Sequence, residues 1–133
     1  MPLAIHDDAR WPVVIVRMPA GSMTTEEFDR HLEQLVAYLE RGEPHALVID
    51  IGEGDLVGEN RHQLTEHHRI HAVAVRAFVR GVALVVRAPI HRVMYGAIDA
   101  LLGSPYPFRR FDSLEEAEAW ATQALTQRPS SRP

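Results

Sequence analysis

The sequence predicts an α/β domain: a mixed, mainly parallel β-sheet of four to five strands flanked by four helices. Three observations lead there. First, Ala46-Leu47-Val48-Ile49-Asp50-Ile51 and Val82-Ala83-Leu84-Val85-Val86 are nearly continuous apolar runs, the character of central strands covered on both faces. Second, Thr24-Thr25-Glu26-Glu27, Asn60-Arg61-His62-Gln63 and Ser113-Leu114-Glu115-Glu116 each fit a capping box. There a short polar side chain takes a free helical N–H and a Glu or Gln reaches back. Third, Gly42, Gly81 and Gly103 stand where helices would end, because glycine takes the left-handed closing conformation without steric cost. Strands alternating with long helices imply parallel crossovers.

The elements follow in order. Leu3-Ala4-Ile5 reads as a short first strand, with Asp7-Asp8-Ala9-Arg10 as a turn. The β-branched run Trp11 to Met18 follows, with Pro12 near its start, where a missing N–H is tolerated. So short a connection predicts an antiparallel edge hairpin. A first helix is predicted from Thr25 to Arg41, with Phe28, Leu32, Leu35, Val36 and Leu39 forming one inward stripe. A second helix runs from Arg61 to Arg80 and leads into the strand Val82–Val86. Pro89 suits the first turn of a third helix reaching Leu102. Phe108-Arg109-Arg110-Phe111 makes a short last strand, and a fourth helix spans Leu114 to Thr126.

At 133 residues and 46% apolar content, the chain supports a single core, here residues 1–127, without staples. The tail 128–133 is expected to be disordered. Without cysteine, disulfides and thiolate chemistry are excluded. Asp7, Asp8 and Arg10 interrupt any apolar leader, and no apolar run reaches the length of a membrane span; a cytoplasmic protein is expected. A net charge of −4 argues against a nucleic-acid binder. All 14 basic residues are Arg. Arg favours bidentate contacts with carboxylate or phosphate, although codon bias in a GC-rich genome explains the usage more simply.

In parallel α/β folds ligands favour the carboxyl ends of the strands, which directs attention to three groups of residues. Asp50, Glu53, Asp55 and Glu59 form an acidic loop of the kind that can hold Mg²⁺. No phosphate-binding loop accompanies it, and the simpler reading is a solvated loop. Arg87, His91 and Arg92 flank a helix start and suit an anion; a salt bridge from Arg92 to the acidic loop is the simpler account. The third group, His62, His67, His68 and His71, lies on the second helix. His67 and His71 are four residues apart, a spacing with which two imidazoles can share a metal. Glu66 precedes the pair, so the His-Glu-x-x-His order of a metalloprotease is lacking. A third ligand could come from Asp55 or Glu59 in the preceding loop, but none is fixed at helical spacing, so no metal or other cofactor is expected. His71 then reads as a core residue in line with Leu64, Val75 and Phe78. No serine sits in a nucleophile elbow.

The order of elements, Asp50 closing its strand, Arg92 early in the third helix and the closing Glu118-Ala119-Trp120-Ala121 resemble the SpoIIAA-like proteins, often labelled STAS/SEC14 domain-containing. The resemblance covers nearly the whole chain and rests on order and spacing. It implies a mixed sheet with four helices and a non-enzymatic role. STAS antagonists bind a kinase partner and are switched by phosphorylation of a serine after the Asp50-equivalent strand. From Ile51 to Leu64 this chain has no Ser or Thr, so it departs from the family at the switch.

The sequence thus leads to a small non-catalytic regulatory or interaction module without the serine switch. The alternative is a binder of a small apolar or anionic, lipid-like ligand at the strand ends. A metal-dependent enzyme using the second-helix histidines is more remote. A third helix apolar beyond its core stripe makes Tyr95 and Leu102 candidates for the contact of a homodimer.

Overall fold

A computed structural model of the chain describes residues 4–19, 23–52, 58–86 and 106–126. Its first two strands form the expected hairpin. β1 (Ile5–Asp7) pairs antiparallel with β2 (Val13–Arg17), His6 opposite Val16. Trp11 and Pro12 belong to the turn rather than the strand, whose amides point elsewhere: Trp11 N donates to the Asp8 carbonyl at 2.9 Å and Val13 N to that of Arg10 at 3.0 Å.

α1 (Thr25–Leu39) begins as its capping box predicts. Glu27 N donates to Thr24 Oγ1 at 3.1 Å, and Thr24 N donates to Glu27 Oε1 at 2.8 Å. The helix closes through Gly42, whose φ of 67° is the left-handed conformation that glycine adopts freely. β3 (His45–Gly52) follows and lies parallel to β2, with Asp50 beside Arg17.

The next segment departs from the expected single helix. α2 (Gly58–Ile70) and α3 (Ala72–Phe78) are separated at His71, whose φ of −106° and ψ of 21° leave the helical range. α2 starts before Asn60, so the expected capping box there does not form. Asn60 lies inside the helix and donates to Gln63 Oε1 at 2.9 Å instead. The chain also leaves the helix early, at the extended Val79, and β4 (Val79–Val86) takes in Arg80 and Gly81.

Gly81 therefore does not end a helix. A Cβ there would stand 3.0 Å from Trp120 Cη2 and 3.1 Å from Ala124 Cβ. The glycine lets the last helix approach the strand closely. That helix, α4 (Leu114–Thr126), follows β5 (Phe108–Phe111) and is capped by Ser113, whose Oγ accepts from Glu116 N at 3.3 Å.

The sheet order is β1-β2-β3-β4-β5, parallel except for the first pair. Alternation along the strands divides the core in two. Val14, Val16, Leu47, Ile51, Val82, Leu84 and Val86 meet Phe28, Leu32, Leu35, Tyr38 and Leu39 of α1 and Val75 of α3. Val13, Ile15, Ala46, Val48, Ala83 and Val85 meet Ala117 and Ala121 of α4. No helix among the described residues is long and apolar enough to cross a membrane.

Candidate functional site

On the α1 side, the layer above the apolar sheet is polar where the helices meet. His31 falls three residues after Phe28 and four before Leu35, hence within the inward stripe of α1, and is buried. From β1, His6 stacks on it with ring centroids 5.1 Å apart, and His6 Nε2 lies 2.9 Å from His31 Nδ1. Such a contact needs one ring to donate and the other to accept, so the two imidazoles cannot both be fully protonated.

Across the seam α2 contributes His67, also buried, whose ring lies 5.7 Å from that of His68 and 5.1 Å from that of His71. His68 Nε2 lies 2.9 Å from the hydroxyl of Tyr106, just ahead of β5. Burial, and then the neighbouring His6 and His67, hold the pKa of His31 down to about 3. Burial, followed by His68 and His71, lowers that of His67 to about 4, and burial brings His68 to about 4. His6 is shifted the same way by burial. The cluster is a store of neutral imidazoles.

Its rim is held by exposed polar contacts. Gln63 Nε2 donates to the Thr25 carbonyl at 2.9 Å and to Asp29 Oδ1 at 2.8 Å, and Thr25 Oγ1 donates to Glu59 Oε2 at 3.3 Å. Beneath them, Asn60 is 1% exposed, and its Oδ1 has no hydrogen-bond partner; nor has the buried Nδ1 of His68. Buried polar atoms in this condition are uncommon in folded proteins.

The opposite end of the sheet carries a second aromatic group. His45 stacks on Trp11 at 5.2 Å, and its Nδ1 lies 2.9 Å from the Glu43 carbonyl. Arg41 covers the Trp11 ring at 4.2 Å and pairs with Asp8 at 2.7 Å. With Tyr38 buried below, this group closes the hairpin against the end of α1 and reads as packing.

The structure brings His67 and His71 together but exchanges their expected roles. The helix break turns His71 to a half-buried position and leaves His67 as the buried imidazole. Asp50 is half-buried at the carboxyl end of β3, away from the histidines, and its carbonyl accepts from Met18 N at 2.9 Å. Glu53, Asp55, Arg87, His91, Arg92, Tyr95 and Leu102, with the expected third helix and Gly103, lie outside the described residues. No group of three or more His, Asp or Glu side chains among the described residues is arranged to hold a metal. Sequence reasoning missed His6, His31, Asn60 and Tyr106. The stripe of α1 was a usable signal for His31; the others acquire meaning only from their neighbours.

No curated protein sequence matches the chain. A solved structure similar to it is that of an uncharacterized protein of the DUF3478 family with a SpoIIAA-like fold, from Shewanella loihica. The two share 16% identity with a TM-score of 0.66, over 89% of this chain and 91% of the other. At that identity the likeness concerns the fold. The SpoIIAA-like family itself matches residues 13–122, nearly all of the strand–helix alternation described above, and the chain belongs to the SpoIIAA-like family.

Proposed function

We propose that this SpoIIAA-like domain is a non-catalytic regulatory module that works in the cytoplasm by binding a protein partner, without a serine switch. The observation that carries the reading is the outer face of the α2–α3 junction. Ile70 is 62% exposed and Val73 84%, three residues apart and flanked by the exposed Arg69 and Arg76. Two large apolar side chains exposed to water within four residues, on either side of the helix break and near arginines in sequence, suit an interface better than a free surface. The lack of Ser and Thr from Ile51 to Leu64 supports a partner contact that phosphorylation in that segment does not control.

Affinity purification of the native chain, compared with the double variant Ile70→Glu/Val73→Glu, tests this. A protein retained in near-stoichiometric amount by the native chain and lost with the variant is expected. Equal retention by both, or none by either, removes the reading.

A second reading, a small apolar or anionic ligand, draws on the orphaned carboxamide oxygen of Asn60 in the first turn of α2, the helix that follows β3. Native mass spectrometry of the purified chain would find an added mass that Asn60→Leu abolishes. Self-association through Tyr95 and Leu102 is proposed as well. Light scattering should then give twice the 15.0 kDa chain mass, and Tyr95→Glu should halve it.

A further inference from the structure

The seam between α1 and the α2–α3 segment gathers histidines from three elements, and among the described residues no opposite charge pairs with them. His31 on α1 faces His6 from β1 and His67 from α2. His67 faces His68 and His71, and His68 meets the Tyr106 hydroxyl. The sheet beneath presents Val14, Val16, Leu47, Ile51, Val82, Leu84 and Val86, all apolar; the charged Arg110 of β5 is exposed. The nearby carboxylates are engaged elsewhere: Glu27 with the Thr24 cap, Asp29 with Gln63, Glu59 with Thr25, and Glu66 with Arg69. Among the described side chains, added protons would therefore meet only one another.

The segment is also lightly held. Among its described side chains, Val75 is its one fully buried large apolar residue, with Leu64, Ala74 and Phe78 packed only in part, while Ile70 and Val73 face water. Its backbone breaks at His71, which has no side-chain cap, a ready place for a turn to give way.

We propose that α2–α3 is an acid-released flap: proton uptake by the imidazole cluster of His6, His31, His67 and His68 frees the segment from α1, while the sheet and α4 stay folded. The sign follows from the environment. Each ring is neutral when the seam is closed and reaches water when it opens, where it binds a proton near its ordinary value of 6.5. Below that value each such ring favours the open state by roughly tenfold per pH unit, until the closed-state pKa is reached. His31 and His67 carry most of the effect, being the two fully buried members.

Hydrogen exchange read by mass spectrometry on the full chain, at about pH 7.5 and about pH 5 and corrected for intrinsic rates, tests the proposal. Peptides covering residues 58–78 should lose protection at the lower pH by more than roughly tenfold relative to those covering 114–126. His31→Gln, which cannot charge, should shrink that difference by roughly tenfold or more. If the variant does not fold, His68→Gln, half-buried at the rim, replaces it with a smaller expected reduction. The proposal is overturned if both regions lose protection together, if residues 58–78 stay protected at low pH, or if the substituted chain keeps the full acid response.

Discussion

The two faces of the sheet are built from different materials. On one, α4 lays Ala117, Ala121 and Ala124 against the strands, so close that a Cβ at Gly81 would crowd Trp120 and Ala124 at 3.0–3.1 Å. On the other, α1 packs large apolar residues at its base, but its contact with α2 is made of histidines, amides and exposed hydrogen bonds. Small residues permit close approach and leave nothing to titrate. Neutral imidazoles fill similar space but hold it only while the solution leaves them uncharged. The α4 face should therefore respond to volume alone, whereas the α1 side should respond to volume at its apolar base and to pH at its seam with α2.

The largest expected effect tests the volume half. Leu47→Ala, on the α1 face, should cost about 2–5 kcal/mol in urea unfolding by leaving a cavity. Ala121→Leu, fully buried on the α4 face, should cost about 1–3 kcal/mol through overpacking. If Ala121→Leu were neutral, the close approach of α4 would be wrong.

Next comes the pH half. His31 and His67 have folded pKa values of about 3 and about 4, against an ordinary 6.5. Their neutral forms are favoured in the fold, so their contribution is complete above 6.5 and is lost as pH falls toward those folded values. Between about pH 7 and about pH 5, His31→Gln should reduce the loss of unfolding free energy by about 1–2 kcal/mol. A pH profile parallel to that of the native chain would mean that His31 is not buried.

Smaller still are the caps, one for each face. Thr24→Ala removes the side-chain half of a complete capping box, the acceptor for Glu27 N, while the backbone N–H of residue 24 can still donate to Glu27, and should cost about 1 kcal/mol in thermal or urea unfolding. Ser113→Ala, with a single long bond to the first turn of α4, should cost about half of that. The reverse order would mean that the α4 cap is the tighter of the two. The smallest effect belongs to Arg10, whose ion pair with Glu118 at 2.6 Å ties the hairpin turn to α4 but leaves the Arg side chain 69% exposed. Arg10→Gln should change stability by less than about 0.5 kcal/mol, and that change should vanish in high salt.

Much of this was legible residue by residue. The cap at Thr24, the left-handed Gly42, the apolar runs of β3 and β4 and the hairpin of β1 and β2 each depend on a few neighbouring residues. The local pattern was misleading at Asn60, at His71 and at Gly81. Asn60 resembles a cap but lies buried inside α2; His71 follows the helical period yet interrupts the helix; Gly81 has the look of a helix end but sits in a strand. At Gly81 the deciding neighbours lie some forty residues away, in Trp120 and Ala124.

The sequence by itself determined the kinds and order of elements, because caps, glycine turns and apolar periodicity act over one or two turns of chain. The tertiary structure alone decided the strand order, the division of the core into two faces, and the meeting of His6, His31, His67 and His68. The reason is physical. Whether an imidazole is a surface proton acceptor or a buried neutral ring depends on what lies opposite it, and that neighbour comes from another element.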